Sequence, residues 1–260
     1  MLGICSTCGN HEWDKEVEGN KIRCPKCGNE WTFEKLPIYF LTGCSGIGKT
    51  TTAVELQKLT DEYVILDVDW LRNIAWPQND EEENDLIEQL YCLSKNITQS
   101  KRAVVWTMAG GIDRLEHTYG KRFFSEIKVL ALTADPDVLR KRMTEGRGID
   151  DEGWIQSSID YNNYFRTHDS LGDTKFDTLD CTVGTPEEIA KKPVKLGFLP
   201  IPVYGFATCL LIADSIPAHL SKSLIHSTFN INGYLSFPSI TPLIFFVLFS
   251  KLFKKFSVNP

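Results

Sequence analysis

The sequence predicts an α/β fold, a mainly parallel sheet with helices on both faces, preceded by a small cysteine-rich module. Three observations predict it. Residues 43–50 read Gly43-Cys44-Ser45-Gly46-Ile47-Gly48-Lys49-Thr50, a G-x-x-x-x-G-K-[ST] pattern set between an apolar run and a helical one. Short apolar runs alternate with helix-length segments from residue 37 to residue 192, the pattern of strands buried on both faces by crossover helices. Two C-x-x-C pairs lie ahead of all this, at Cys5/Cys8 and Cys24/Cys27.

The cysteine pairs are separated by 15 residues, and each is followed by a glycine. Each pair can wrap two thiolates round one ion, so Cys5, Cys8, Cys24 and Cys27 are expected to hold one tetrahedral zinc. Four thiolates leave no open position, which makes the site structural. A segment as short as residues 1–36 builds no core of its own, and metal binding supplies its folding free energy. Trp13, Ile22, Trp31 and Phe33 are the apolar residues available to pack beside it. With five basic and six acidic side chains, residues 1–36 carry no cationic patch for nucleic acid. A docking or stabilising module is the plainer role.

The G-x-x-x-x-G-K-[ST] pattern follows a strand-forming run at 38–41 and leads into a helix over 52–59. Its glycines let backbone N–H groups converge on an anion, and the helix N-terminus adds partial positive charge. The cradle over Gly43, Ser45, Gly46, Ile47, Gly48, Lys49, Thr50 and Thr51 therefore reads as a nucleotide phosphate site. Lys49 is expected at the β- and γ-phosphates and Thr50 on Mg²⁺. Cys44 within it reads as a packed small residue.

Further strands are expected at 63–66, 103–108, 127–132 and 176–180. The acidic stretch 78–85 reads as a solvated loop whose charges suit the N-terminus of a helix over 84–97. A helix from Pro136 to about Glu145, capped by Asp135, is broken by Gly146-Arg147-Gly148. Another helix is expected over 151–165, and a closing helix over 186–191. Since these elements all precede Lys192, a chain ended there is expected to keep its stability.

Beyond Lys192 the character changes. Residues 193–260 hold nine of the fifteen phenylalanines, five basic side chains and one acidic, against 23 basic and 33 acidic in residues 1–192. Neither uncharged stretch of this tail makes a good membrane span, because Pro200, Pro202, Pro238 and Pro242 interrupt them. Two readings stay open: a terminus outside the main fold, such as one acquired by a shifted reading frame, or a membrane- or partner-binding tail. The acidic body argues against broad nucleic-acid binding. No basic segment followed by an apolar run opens the sequence, so a cytoplasmic setting is expected, with thiols serving as metal ligands or buried groups.

Asp67 and Asp69 directly follow the second strand, and a D-x-D spacing there sets acid beside the phosphates. With these residues the sequence resembles the P-loop NTPase fold of the small kinases, the nucleoside monophosphate kinase-like group that includes shikimate, gluconate and adenylylsulfate kinases. The resemblance covers residues 37–192. It implies that Asp67 positions metal-bound water, Asp69 orients or deprotonates the acceptor hydroxyl, and Arg72 of Leu66-Asp67-Val68-Asp69-Trp70-Leu71-Arg72 binds an acceptor anion. Leu139-Arg140-Lys141-Arg142-Met143-Thr144-Glu145-Gly146-Arg147-Gly148 is similar to the lid of those kinases, with Arg142 and Arg147 closing over the transferred group. The third strand ends Val105-Trp106-Thr107-Met108 without an acid, which departs from motor ATPases.

The resemblance implies an ATP- and Mg²⁺-dependent kinase acting on a small-molecule acceptor of nucleoside or nucleotide type. A second reading is a nucleotide-binding regulatory ATPase whose zinc ribbon contacts a protein or RNA partner. Trp70 and Trp76 could stack on a ring, and Tyr161, Asn162 and Asn163 could hydrogen-bond an acceptor, though packing and a helix surface explain them as well. His11, His117 and His168 have neither ligand spacing nor an adjacent nucleophile.

Protein purified without chelator is expected to carry about one zinc per chain, since four thiolates complete one tetrahedral ion. Elemental analysis checks this. Cys24→Ser should lose the metal, and metal-free wild type would contradict the assignment.

Overall fold

A computed structural model describes residues 2–12, 15–74, 77–195 and 198–199. Trp13, Trp76 and the tail from residue 200 onward, with its two readings, lie outside the described residues. Three short strands open the chain, β1 (Glu16–Glu18), β2 (Lys21–Arg23) and β3 (Glu30–Thr32), paired antiparallel in that order. The main sheet follows with β4 (Ile38–Thr42), β5 (Tyr63–Asp67), β6 (Ala103–Thr107), β7 (Ile127–Thr133) and, after a two-residue hairpin pair β8 (Ser170–Leu171) and β9 (Thr174–Lys175), β10 (Asp177–Asp180). Its order is β10-β7-β4-β6-β5, and every pairing is parallel. The expected mainly parallel α/β sheet is what forms.

Helices α1 (Lys49–Leu59), α2 (Val68–Ile74), α3 (Asp80–Ile97), α4 (Pro136–Arg147), α5 (Glu152–Thr167) and α6 (Pro186–Lys195) cover it. Strand alternation divides the core in two. Tyr39, Leu41, Val105, Leu130 and Leu132 face one cluster with Ala53 and Leu56 of α1, Leu139 and Met143 of α4, and Ile189 of α6. Their neighbours Ile38, Phe40, Val104, Trp106 and Val129 face the other, with Leu86, Ile87 and Leu90 of α3. The central strands β4 and β6 are buried throughout, which is why they read as continuous apolar runs.

Three boundaries differ from the sequence expectation. The acidic stretch is not a loop: α3 begins at Asp80, with Asn79 accepting a hydrogen bond from Glu82 N at 3.0 Å and four acids in the first turn, where they complement the helix dipole. Gly146 does not break α4. Nothing crowds it, and the helix stops only at Gly148, whose left-handed φ of 65° lets its N–H reach Met143 O and Thr144 O. At the C-terminal side, the boundary at 192 falls inside α6. Val194, Phe198 and Leu199 are buried in the core, and the Phe198 ring meets Tyr39 edge-on at 5.6 Å.

The cysteine-rich module packs onto α3 and the turn that follows it. Leu2, Ile22 and Phe33 join the α3-side cluster, and Phe33 meets Phe123 edge-on at 5.7 Å. Leu2 N donates to Asn96 Oδ1 at 3.2 Å, Glu34 N to Gln99 Oε1 at 3.0 Å, and the Tyr119 hydroxyl to Lys15 O.

A chain ended after Lys192 is therefore expected to be less stable than one ended after Leu199. Each fully buried apolar side chain stabilises by about 1.5–3 kcal/mol, and the loss should reach roughly 3–6 kcal/mol once residual burial in the unfolded chain is discounted. Denaturant midpoints of the two truncations decide it. Equal midpoints would return the boundary to 192.

Candidate functional site

The site begins with backbone geometry. Between β4 and α1 the chain turns through Gly43 (φ 136°), Gly46 (φ 76°) and Gly48 (φ 109°), a conformation closed to most side chains. A Cβ on Gly43 would lie 2.7 Å from Leu132 O on β7, and one on Gly46 would lie 2.6 Å from Met143 Cγ on α4. The loop is thus pressed against the sheet on one side and α4 on the other. Lys49 Nζ lies across it, donating to Gly43 O and Cys44 O at 2.9 Å each. Burial lowers the Lys49 pKa below the ordinary lysine value, while Cys44, Asp69 and Asp67 pull it back up. Cys44 is buried, and burial pushes its thiol up to about 11, as for a packed small residue.

A cavity of about 970 Å³ runs over the carboxyl ends of the strands, with this loop at its centre. That is where ligands sit in open parallel sheets. Toward the β10 edge it is lined by Arg142, Cys181, Gly184, Pro186 and Ile189; toward the β5 edge, by Asp67, Asp69, Arg72 and Met108–Gly110.

Asp67 is the last residue of β5, and Asp69 stands one residue into α2 rather than on the strand. Thr50 Oγ1 donates to Asp67 Oδ2 at 3.2 Å, and Asp69 N to Asp67 Oδ1 at 3.0 Å. Hydroxyl and carboxylate oxygens thus face one another beside Lys49, a hard oxygen set suited to Mg²⁺ with retained waters. Arg142 bridges the cavity floor, donating to Ile47 O at 3.3 Å and Cys181 O at 2.6 Å, so its guanidinium ties the loop to the end of β10. Arg147, at the end of α4, lies 5.7 Å from the Trp154 ring on α5. Arg140 instead pairs with Glu152 at 2.7 Å, away from the cavity lining.

Several side chains take roles that the sequence did not signal. Arg72 is ion-paired with Glu83 of α3, and both side chains are largely buried. Asn162 is fully buried and exchanges two hydrogen bonds of 2.9 Å with Ala134, which makes it a brace between α5 and the end of β7. Tyr161 packs against Phe165. His117 pairs with Asp173 at the surface, and His168 stacks on Tyr164. Trp70 is exposed on α2. Trp154, Met108 and the turn after β10 line the cavity without any motif to announce them, because only long-range packing brings them there.

The four N-terminal cysteines form a second centre. Each knuckle repeats the same bonds: Cys5 N to Asn10 O and Gly9 N to Cys5 O, then Cys24 N to Asn29 O and Gly28 N to Cys24 O, all at 2.9 Å. All four Sγ atoms lie within 4.8 Å of one another, with Cys5–Cys27 at 3.6 Å and Cys8–Cys24 at 3.7 Å. A tetrahedron with Zn–S bonds of about 2.3 Å has edges of about 3.8 Å, so the cluster fits zinc. Burial raises the Cys5 thiol, but the N–H groups of Cys8 and Thr7 outweigh it and bring it down to about 6. Beside the first knuckle the buried Lys15 ammonium is held by Asn10 Oδ1 and Glu12 O. It sets a positive charge next to what would be an anionic four-thiolate zinc site.

Residues 40–162 match the model of a family described as "AAA domain", a span just short of half the chain. No curated protein matches the sequence. Among solved structures, a sugar kinase from Janibacter sp. HTCC2649 is similar over 64% of this chain and 96% of its own, at 18% identity and a TM-score of 0.48. The tunicamycin resistance protein of Deinococcus radiodurans is similar over 65% and 99%, at 15% identity and 0.49. A shikimate kinase from Acinetobacter baumannii is similar over 64% and 95%, at 21% identity and 0.44. The α/β fold expected from the sequence is borne out, and the matched span takes in the end of β4, the glycine loop and α1 together with Asp67 and α4.

Gly43→Ala is expected to strain the loop by about 1–3 kcal/mol and to lower ATP affinity at least tenfold. Calorimetric titration with ATP, beside thermal unfolding, reads both. Unchanged affinity would mean that the close approach to Leu132 does not shape the phosphate site.

Proposed function

We propose that the chain is an ATP- and Mg²⁺-dependent kinase, transferring the γ-phosphoryl group to a hydroxyl of a small molecule of the nucleoside or nucleotide class. The observation that carries this reading is the meeting of Lys49, Thr50, Asp67 and Asp69 at one end of the cavity, with Thr50 Oγ1 3.2 Å from Asp67 Oδ2. A nucleotide switch needs the first three; a second carboxylate facing the open β5 side suits an acceptor hydroxyl.

In this reading the loop N–H groups and Lys49 hold the β- and γ-phosphates, and Thr50 and Asp67 hold Mg²⁺ with its waters. Bound there, Mg²⁺ would supply the positive charge that offsets what develops on the phosphate oxygens. Asp69 accepts the acceptor's hydroxyl proton while the new P–O bond forms and the bond to the β-phosphate oxygen breaks, leaving ADP. Arg142 and Arg147 approach the equatorial oxygens from α4, where guanidinium forks neutralise spread charge. Positioning and charge supply the catalysis.

The regulatory ATPase reading gains less support. Leu2, Ile22 and Phe33 of the ribbon are buried against the α3 side of the domain, which favours a bracing role over presentation to a partner. A reduced Cys₄ zinc site also suits a cytoplasmic protein. Among the described residues, no helix is long and apolar enough to cross a membrane.

Asp69→Asn is expected to keep ATP binding and to slow phosphoryl transfer by roughly two to four powers of ten, the range for a positioned acid–base or electrostatic group. Lys49→Ala should abolish transfer and weaken ATP binding as well. Product formation with nucleosides, nucleoside monophosphates and hydroxylated metabolites, beside acceptor-free hydrolysis, checks both. An effect of tenfold or less at Asp69 would remove it from the proposed role.

A further inference from the structure

The β5 end of the cavity has an unusual charge balance, and it bears on the acceptor. Its lining side chains with charge are Asp67, Asp69 and Arg72. Asp67 already accepts hydrogen bonds from Thr50 and from Asp69 N. Arg72 is ion-paired with Glu83, the two side chains being 15% and 16% exposed, and Lys49, beside the two carboxylates, donates to Gly43 O and Cys44 O. Taking Arg72 away from Glu83 would strand a mostly buried carboxylate, a costly change. Glu83 Oε1 also lies 3.0 Å from where a Cβ on Gly111 would stand, beside the loop that carries Ala109 and Gly110. Arg114, in the turn after β6, is bound by Asp80 at 2.6 Å and Asn84 at 2.7 Å. The remaining cations of the cavity, Lys49, Arg142 and Arg147, stand at the phosphate loop and α4.

What this end offers a ligand is the Asp69 carboxylate, the backbone of Ala109 and Gly110, the apolar Met108 side chain and an ion pair whose charges cancel. A phosphate or carboxylate placed here would meet Asp69 at short range, and the cations near it among the described residues are already engaged, Arg72 by Glu83 and Lys49 by the loop carbonyls. We infer that the acceptor carries no anionic group: it is a hydroxyl-rich molecule, a nucleoside or sugar rather than its phosphate or acid. This rests on the kinase reading and revises the role that the resemblance implied for Arg72: the arginine fixes Glu83 and the floor of the site, acting as a positioning residue instead of an anion hook.

The test uses matched probes on the full chain. Thymidine against thymidine monophosphate, and glucose against gluconate, are titrated into protein saturated with a non-hydrolysable ATP analogue and Mg²⁺, and phosphoryl transfer from ATP is measured in parallel. At least one neutral probe is expected to bind tenfold or more tighter than its anionic twin. Glu83→Gln, which halves the hold on Arg72 while keeping the shape, should narrow the gap to the anionic twin severalfold. Equal or tighter binding of the anionic twin overturns the inference while leaving the kinase reading in place. Neutral binding without transfer supports the inference and removes the kinase reading. No binding by any probe, with hydrolysis alone, overturns both.

Discussion

The site depends on a backbone pressed where no side chain fits. At Gly43 the chain passes so close to Leu132 O that a Cβ would stand 2.7 Å away, and at Gly46 it meets Met143 of α4 in the same way. That approach brings Ser45 to Thr50 to the cavity wall and starts α1 at Lys49, directly after Gly48. It also fixes α4. Because Met143 packs on the loop, Arg142 beside it reaches Ile47 O and Cys181 O, tying the two sides of the cavity floor together. The catalytic proposal, the arginines and the shape of the nucleotide end all follow from this one contact surface.

Much of this was legible locally. Ile38 to Leu41 and Ala103 to Thr107 read as buried strands because both their faces are covered, and Gly43 to Thr50 announces its loop at every fixed position. The misreadings share a cause: partners distant in sequence. Residues 80–83 look solvated until the Asn79 cap and the helix dipole are weighed, and Glu83 then turns inward to Arg72. The fall in charge after Lys192 marks a change of composition, yet Val194, Phe198 and Leu199 still belong to the core. Asn162 carries a polar label on a helix that looks exposed, but Ala134 offers it both a donor and an acceptor. None of these pairings has a periodic signature.

The cysteine-rich module and the β5 side of the cavity share α3. Near its C-terminus, Asn96 bonds to Leu2 N, and Lys95 lies 4.4 Å from the Phe123 ring, which itself meets Phe33. In its first turn sits Glu83, paired with Arg72. One helix therefore carries the packing of the module near one end and the Arg72 pair at the other. This gives the ribbon a physical place in the domain without invoking a macromolecular partner.

The central claim is that the terminal phosphoryl group passes to a small molecule. ATP radiolabelled in its γ-phosphate, incubated with the protein, Mg²⁺ and a low-molecular-weight metabolite extract, tests it most directly when the products are separated. The account predicts label in an organic phosphate, formed at a rate well above the release of inorganic phosphate. Label found only in inorganic phosphate, with release quickened by added protein or RNA, would contradict it.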